Sequence, residues 1–275
     1  MQKQPKYKFY ATLLDRFYDY LNSDVVWEKY WSWSENPPLS PEQFKEQQFK
    51  ELIDRINRVP YDSEAADKGT CFNEIVDCLI EHRKSDKIQI ERVYKVIREG
   101  ACDNLGNPLY YDEIPTNEVI ALEATYNNRE FTFPIGVCRE FANYYKGALT
   151  QQYVEAILPT AYGNVLVYGF IDELMPNSVH DIKTTGCYSV GKYKGNHQHL
   201  VYPFALMQSG SDVRTFEYNV AEFNKGGYAT GTYTETYVFN PERDIPILRE
   251  HCEEFIRFLE DNKELITDTK IFGGR

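Results

Sequence analysis

The stretch Val165-Leu-Val-Tyr-Gly-Phe-Ile-Asp172, followed by Glu-Leu-Met-Pro-Asn-Ser and then by Val179-His-Asp-Ile-Lys183-Thr-Thr, decides the fold of this chain. Its two apolar runs are rich in β-branched and aromatic residues, and a Pro-Asn-Ser turn separates them. Runs of this composition on either side of such a turn are typical of a β-hairpin. The sequence therefore predicts a hairpin that carries acidic residues on both strands.

A hairpin whose turn is centred between Pro176 and Asn177 places Asp172 directly opposite Asp181. Cross-strand neighbours have Cβ atoms about 4.5–5.5 Å apart, and side chains alternate along a strand, so Lys183 points to the same face as Asp181. Opposed carboxylates destabilise a hairpin unless a cation lies between them. A hard divalent metal such as Mg²⁺ accepts these oxygens, and the lysine is left to stabilise an anion beside it.

This set of groups suits phosphodiester hydrolysis. A metal held by carboxylates lowers the pKa of bound water and stabilises charge on phosphate oxygens. We expect the backbone carbonyl of Ile182 to add a ligand, and Lys183 to orient the attacking water or to neutralise the developing charge. Asp-x-Lys alone carries little weight, because it also occurs at Asp261-Asn-Lys263 and Asp268-Thr-Lys270. What distinguishes Asp181-Ile-Lys183 from these two copies is the apolar strand and the hairpin around it.

Length and charge limit the number of domains and the kinds of partner that the chain can bind. At 275 residues the chain is one large domain or two small ones. The formal net charge of −12 argues against a general nucleic-acid binder. From His180 to Tyr202, however, Asp181 is the only acid, beside Lys183, Lys192 and Lys194. A locally basic strip on an acidic protein fits an enzyme that grips a polyanion in one groove.

Neither a membrane span nor a disulfide framework is indicated. The chain has no apolar run of about 18 residues, and its first residues lack the apolar stretch of a signal peptide. The six cysteines are scattered, with no Cys-x-x-Cys pair. We therefore expect reduced thiols in a cytoplasmic protein that has no membrane partner.

The remaining patterns predict helices, strands and one long ambiguous section. Ser40-Pro41 marks a helix start, and Asn-Lys-Gly-Gly marks a tight turn between two late strands. Helical patterns cover residues 7–33, 42–59, 63–84, 136–158, 196–209 and 241–266; strands cover 213–223 and 228–239; 117–133 is ambiguous. We expect an α/β (α+β) fold: a helical N-terminal region, residues 1–62, packed on a domain of residues 63–275 with a small mixed β-sheet flanked by helices.

A second constellation follows the hairpin. Gln198 and Tyr202 are four residues apart and share one face of the predicted helix, so an amide and a hydroxyl lie together there. With Gly169-Phe-Ile-Asp172 and the Asp-Ile-Lys-Thr run, the series resembles the PD-(D/E)xK nuclease superfamily. It is most similar to the RecB-like branch, which includes Cas4-type and phage recombination exonucleases. The likeness covers residues 64–265 in the order of helices and strands, and its most specific motifs lie in residues 169–202.

The resemblance implies a restriction-endonuclease-like core that requires Mg²⁺ or Mn²⁺. By likeness, Asp172 and Asp181 bind the metal and Lys183 is catalytic. The residues that we expect to contact DNA are Thr184, Lys192, Lys194, Gln198 and Tyr202.

The upstream metal ligand departs from the family pattern. Members usually carry a helix with Gly-xxx-His or Gly-xxx-Glu, whose last residue binds the metal. Here the matching stretch starts at Gly69 and places Asn73 at that position, with Glu74 next to it. Asn73 acting through a water, Glu74 after a small shift, and Glu140 of a later helix are the three candidates.

Two further departures concern the helix that bears Tyr202 and the cysteines. Pro203 follows Tyr202 directly, and proline removes a helical hydrogen bond, so the helix is predicted to be kinked or interrupted there. The cysteine cluster of Cas4-type members is missing, so no iron–sulfur cluster is expected.

These observations favour a metal-dependent DNA nuclease, and by resemblance an exonuclease that acts on duplex ends in recombination or repair. Assembly into a homo-oligomer, or pairing with a recombination protein, reconciles the acidic charge with a DNA substrate. Two other functions stay open: a catalytically weak DNA-binding or scaffold module, supported by Asn73, and a defence-type or restriction-type endonuclease. No residue distinguishes DNA from RNA as the substrate.

Overall fold

A computed structural model describes residues 4–273, apart from the side chains of residue 101 and residues 108–111. Within that range the chain has a mixed α/β architecture with seven α-helices and two β-sheets. The helices are α1 (Ala11–Leu21), α2 (Ser23–Trp31), α3 (Pro41–Ile56), α4 (Glu64–Glu81), α5 (Ile135–Tyr144), α6 (Gln198–Gln208) and α7 (Pro241–Asp261). Over the same range, none of these helices combines the length and the apolar character needed to cross a bilayer.

The nine strands divide between the two sheets. Their bounds are β1 (Tyr7–Tyr10), β2 (Gln89–Cys102), β3 (Pro108–Tyr126), β4 (Arg129–Pro134), β5 (Leu149–Thr160), β6 (Gly163–Leu174), β7 (Ser178–Thr185), β8 (Thr215–Phe223) and β9 (Ala229–Val238). Strands β2, β3 and β4 form an antiparallel three-stranded sheet. The other six strands form a mixed sheet.

Strand β6 is the centre of the mixed sheet. Strand β5 pairs antiparallel along one edge of it. The opposite edge pairs in parallel with β1 as far as Tyr168, and then antiparallel with β7 from Glu173 onward. The four residues Gly169–Asp172 therefore lie where that edge passes from one neighbour to the other. We call this segment the fork.

The register of the predicted hairpin is confirmed. Glu173 pairs with His180, and Leu174 pairs with Val179. The backbone N–H of Met175 donates to the carbonyl of Ser178 at 2.9 Å and closes the turn. Beyond the hairpin, β7 runs parallel to β8, and β8 runs antiparallel to β9.

Two apolar cores hold the helices against the mixed sheet. One core contains side chains of α1, α3, α6 and α7, with the rings of Phe9 and Phe255 4.8 Å apart. The other contains side chains of α4, α5 and the three-stranded sheet, with Phe72 and Phe223 5.4 Å apart. Burial of each phenylalanine contributes about 1.5–3 kcal/mol to stability.

Helix starts follow the predicted signals. Ser40 and Gln43 cap α3 reciprocally: the Ser40 hydroxyl accepts from the Gln43 N–H at 3.3 Å, and the Gln43 side chain accepts from the Ser40 N–H at 3.0 Å. Pro41 occupies the first turn, where its missing N–H costs nothing. The cap fixes where α3 begins.

The helical prediction for residues 7–33 is wrong at its start. Tyr7–Tyr10 form β1, in which buried Tyr7 and Phe9 alternate with Lys8 and Tyr10. An alternating pattern of four residues fits a strand, and the helical spacing begins only at α1. Since β1 is hydrogen-bonded to β6, residues 7–10 of the N-terminal region share a sheet with the later part of the chain.

The prediction of one helix over residues 136–158 is also wrong. Helix α5 ends at Tyr144, and Gly147 adopts a φ of +86°, which takes the chain out of helical geometry. Strand β5 follows, with alternate residues Val154, Ala156 and Leu158 buried. The ambiguous section 117–133 belongs to β3 and β4.

Helix α6 is not interrupted at Pro203. It continues to Gln208, although Pro203 cannot donate a backbone hydrogen bond. The flanking side chains Val201, Phe204 and Ala205 are 0–2% exposed. Packing on both sides of the proline therefore outweighs the loss of one hydrogen bond.

Two stacked histidines join α6 to α7. The rings of His197 and His251 lie 4.1 Å apart, and the His251 Nε2–H donates to the Leu14 carbonyl at 3.0 Å. Burial lowers the pKa of His251 to about 3 and that of His197 to about 4. Both rings are therefore neutral in the folded chain at neutral pH.

Replacement of His251 by glutamine should weaken the acid sensitivity of folding. The unfolded chain binds a proton at His251 near pH 6.5, and the folded chain does so only near pH 3, so stability falls as the pH decreases through that window. From pH 7 to pH 5 this group costs the wild type about 2 kcal/mol. Urea unfolding at both pH values measures the difference, and an equal loss in His251→Gln would contradict the assignment.

Candidate active site

Asp172 lies at the end of the fork and bonds to the neighbouring strand with its side chain. Its Oδ2 accepts from the backbone N–H of Ile182 at 2.9 Å. The same oxygen accepts from the Asn73 amide at 3.2 Å. The Asp172 carboxylate therefore points from the fork toward β7 and α4.

Asp181 and Lys183 form an ion pair beside it. The Lys183 Nζ lies 2.5 Å from Asp181 Oδ2 and donates to Gln198 Oε1 at 3.0 Å. The Gln198 Nε2 in turn donates to Asp181 Oδ1. One amide therefore bridges both members of the ion pair, which requires a group that has an acceptor and a donor.

Acidic groups outnumber basic groups in this cluster. Burial and then Asp181 raise the pKa of Asp172 well above its usual range. Burial raises the pKa of Asp181 as well, although Lys183 opposes the shift. Burial lowers the pKa of Lys183, but Asp181 and Asp172 outweigh it and hold the ammonium charged.

The donor set fits a hard divalent cation. Asp172 and Asp181 supply carboxylate oxygens, and the carbonyl of Ile182, the residue after Asp181, is a further oxygen in the same segment. A bound cation would oppose the two effects that raise the pKa of Asp172, which are burial and then the neighbouring Asp181. Among residues 4–273, no three His, Cys, Asp or Glu side chains converge as one metal-binding group. Any cation here therefore draws on two carboxylates and backbone or water oxygens.

The structure separates the three candidates for the upstream ligand. Asn73 contacts Asp172, as described above. Glu74 is buried elsewhere, 2.5 Å from Arg83 and 3.1 Å from Lys87, and these cations lower its pKa against the effect of burial. Glu140 is exposed and accepts from Thr232 on β9. Asn73 alone of the three reaches the carboxylates.

The predicted DNA contacts occupy different environments. Gln198 and Tyr202 are each 3% exposed and lie under the ion pair. Lys192 donates to the Thr185 hydroxyl at 2.6 Å and to the Cys187 carbonyl at 2.7 Å, so it shapes the loop after β7. Lys194 is exposed. Their contact with DNA stays a prediction.

Thr184 and Gly69 bring β7 close to α4. A Cβ atom at Gly69 would lie 3.5 Å from the Thr184 hydroxyl, which is ordinary contact. Thr184 therefore faces α4 rather than an open groove, and its predicted DNA contact also stays untested.

Gly169 makes room for Tyr202. A Cβ atom at Gly169 would lie 2.6 Å from the Tyr202 ring and 2.8 Å from its hydroxyl. The Gln198 amide donates to that hydroxyl at 3.4 Å. The glycine in Gly-Phe-Ile-Asp thus allows the helix that carries Gln198 to approach the fork.

Three acidic residues near this cluster were missed from the sequence. Asp15 on α1 accepts from the backbone N–H of His197, and burial raises its pKa to about 7. Asp77 and Glu173 are 1% and 0% exposed. Two signals were present: Glu173 follows Asp172, and Asp77 lies one helical turn after Asn73. No local pattern marks Asp15.

Comparisons with known proteins do not assign a family. No family model and no curated protein matches the chain. Among solved structures, the crystal structure of SSO0001 is similar over 45% of this chain, with a TM-score of 0.32 and 11% identity. The chain spans 55% of the length of that protein. A likeness at this level carries no argument about fold or function.

Alanine at the two glycines near the site should have opposite effects. Gly169→Ala should destabilise the chain by about 1–3 kcal/mol, because the new methyl group displaces the buried Tyr202 ring. Gly69→Ala is the matched control in the middle of α4 and should stabilise it by about 0.5–1 kcal/mol. Urea unfolding measures both changes. A neutral Gly169→Ala would show that Tyr202 is not held against the fork.

Proposed function

We propose that this chain is a nuclease that depends on a divalent metal, with a restriction-endonuclease-like core. The observation that carries the proposal is the convergence of Asp172, Asp181 and Lys183 at the fork of β6. Two carboxyl groups share one ammonium there, and a divalent cation would balance this arrangement. Mg²⁺ and Mn²⁺ are the cations whose preference for oxygen ligands suits the site.

Each residue has a role that follows from its contacts. Asp172 and Asp181 would hold the metal, which when bound activates water and stabilises charge on phosphate oxygens. Lys183 is charged because Asp181 and Asp172 raise its pKa. A charged ammonium neutralises negative charge on the reacting phosphate, and it cannot accept a proton from water. Gln198 positions Lys183 by binding both it and Asp181.

The loop after β7 supports the proposal of a nucleic-acid contact beside these residues. The loop 186–195 follows β7, and its buried Tyr193 stacks on buried Tyr218, whose ring lies 5.7 Å from the Lys183 Nζ, so this stacking anchors the loop near the lysine. Lys194 is exposed in the same loop. The exposed aromatic residues of the chain include Tyr30 and Trp33, which is 87% exposed. Lysines and aromatic rings together bind phosphates and unstacked bases.

DNA ends are the proposed substrate, and recombination or repair is the proposed setting. This part rests on the resemblance of the hairpin and the Gln-xxx-Tyr pair to RecB-like exonucleases. A homo-oligomer or a partner protein would bring several basic loops around one DNA molecule. The concentration of basic strips around the DNA would reconcile the net charge of −12 with a DNA substrate.

A second function is favoured by Asn73. Its amide donates to Asp172, where the related pattern has a histidine or glutamate. An amide is a weaker metal ligand than a carboxylate. A catalytically weak DNA-binding module is therefore the alternative, and it predicts DNA binding without metal-dependent cleavage.

Cleavage of end-labelled linear duplex beside closed circular DNA tests the proposal. With Mg²⁺ or Mn²⁺, the wild type should degrade the linear form and spare the circle, and EDTA should abolish the reaction. Lys183→Ala and Asp172→Asn should each lower the rate by at least about 10²-fold, as removal of one group that stabilises a transition state does.

The matched control is Lys263→Ala, which removes the lysine of another Asp-x-Lys run. Lys263 lies 3.5 Å from Glu260 and far along the chain from the fork, so its loss should leave the rate unchanged. Degradation of both substrates would indicate an endonuclease. Survival of both, with DNA still bound, would replace the nuclease by the binding module.

Lys194→Ala should weaken DNA binding in EDTA, in a way that depends on salt. A lysine that neutralises one phosphate contributes about 0.9 to the slope of log affinity against log salt on duplex DNA. We expect the slope to fall by about 1, equally for different sequences, in fluorescence anisotropy titrations. Lys263→Ala serves again as the control. An unchanged slope would remove Lys194 from the interface.

A further inference from the structure

Strand β9 is an open edge of the mixed sheet. It pairs with β8 on one side, and within the described part of the chain no strand pairs with its other side. The Phe239 N–H donates to the Arg214 carbonyl at 2.9 Å, and hydrogen-bonded pairs alternate along antiparallel strands. In this register the N–H and C=O groups of Thr232, Thr234 and Thr236 point away from β8. They form a row of groups with which a further strand can pair.

Strand β9 lacks the features that protect the other strand edges. Exposed edges are usually short, charged, bulged or interrupted by proline. Strand β1 has four residues, β4 ends at Pro134, β5 contains Pro159, and β2 carries Arg92, Lys95 and three register shifts. Strand β9 has ten residues without proline, lysine or arginine, its single acid Glu235 is buried, and its register shifts only near its start. This edge is therefore free to accept a partner.

A groove lies on each face of β9, beside the open edge. The acidic groove, on the α5 side, has a volume of about 240 Å³ and is lined by Glu140 and Tyr144 among others. The aromatic groove, on the opposite side, has a volume of about 460 Å³ and is lined by residues that include Tyr188, Val190 and Tyr237. Side chains of an added strand point alternately to the two faces, so they would enter the two grooves in turn.

The acidic groove has carboxylates without a basic partner. Glu140 accepts from the Thr232 hydroxyl at 3.3 Å, and nearby Glu217 accepts from the Tyr144 hydroxyl at 2.8 Å. No lysine or arginine of the described residues pairs with either glutamate. His180 lies 3.4 Å from Glu217, but burial lowers the pKa of its ring, which is neutral at neutral pH. The groove therefore suits a lysine or arginine side chain, which Tyr144 can also contact through its ring.

The aromatic groove suits an apolar side chain. The Tyr188 ring stacks on the Tyr233 ring with centroids 4.3 Å apart, and the Tyr237 ring stacks on His199 at the same distance. Val190 is 93% exposed at the rim of this groove. Aromatic faces that are already fixed by stacking offer a flat apolar surface at little cost in side-chain entropy.

We propose that the open edge of β9 binds an extended segment of a partner protein in which basic and apolar side chains alternate. The segment adds as a strand beside β9, with its basic side chains in the acidic groove and its apolar side chains in the aromatic groove. The net charge of −12 favours a basic partner segment. A second copy of β9 carries no basic side chain for the acidic groove. Binding at this edge does not depend on the proposed nuclease activity, because β9 carries none of Asp172, Asp181 and Lys183.

Fluorescence anisotropy with a labelled synthetic peptide tests the proposal, in EDTA and without nucleic acid. The peptide has about eight residues, in which arginine alternates with phenylalanine or valine. The wild type should bind it at least about tenfold more tightly than a peptide with glutamate in place of arginine, or one with the same residues in non-alternating order. Lys183→Ala should bind the alternating peptide as the wild type does.

Methylation of the peptide's backbone nitrogens tests the mode of binding on the wild-type protein. In an added strand only every second N–H faces β9. Methylation of one alternating set of residues should therefore weaken binding by at least about tenfold, and methylation of the other set should change it by less than about threefold.

Two variants test the location. Thr236→Pro should weaken peptide binding by at least about tenfold, because proline removes an N–H of the open edge and leaves the hydrogen bonds between β8 and β9 in place. Thr236→Val is the matched control, keeps the N–H and should bind within about threefold of the wild type. Glu140→Gln should lower the affinity for the arginine peptide and weaken its dependence on salt. Circular dichroism shows whether each variant is folded, and the methylated peptides test the wild type in any case.

Absence of binding by every peptide, or equal effects of the two methylation sets, would overturn strand addition. Equal affinity for the arginine and glutamate peptides would overturn the assigned partner chemistry. Sedimentation velocity should give the same oligomeric state for the wild type and Thr236→Pro. A wild-type oligomer that Thr236→Pro dissociates would overturn the proposal and identify a second copy of the chain as the occupant of the edge.

Discussion

The hydrogen bond from the Ile182 N–H to the Asp172 carboxylate is the interaction on which the candidate site depends. It forms where β6 has left β1 and has not yet paired with β7, so a side chain takes the place of a backbone partner. This one bond fixes a carboxylate at the junction of two strands. Because side chains alternate along a strand, Asp181 and Lys183 then project from the same face of β7 toward this carboxylate.

The excess of buried acidic groups over basic groups is the second constraint. Asp172, Asp181 and Asp15 surround the single ammonium of Lys183, and Asp77 and Glu173 lie behind them. Proteins bury such groups at a cost of several kcal/mol, and stability alone does not explain them. The same arrangement is the reason for proposing a cation at the fork.

The parts of the site that were predicted from the sequence are local ones. The hairpin register follows from a short turn, and the shared face of Gln198 and Tyr202 follows from a four-residue spacing. The errors involve distant contacts. The sequence predicts a helix at β1 because the strand partner of β1 lies far along the chain. It predicts one helix across α5 and β5 because only residues 145–148, with Gly147 among them, lie between these two elements. Asp15 reaches the site through tertiary packing alone, which no spacing reveals.

The pairing of β1 with β6 has a consequence for how the protein is made. Tyr7 leaves the ribosome long before its partner Val165, so β1 stays unpaired while more than half of the chain is synthesised. The C-terminal turn also closes on this strand, where the Gly273 N–H donates to the Lys6 carbonyl at 2.9 Å. Contacts this distant in sequence slow folding. The central sheet is therefore completed late, and the nascent chain exposes the edge of β1 until then.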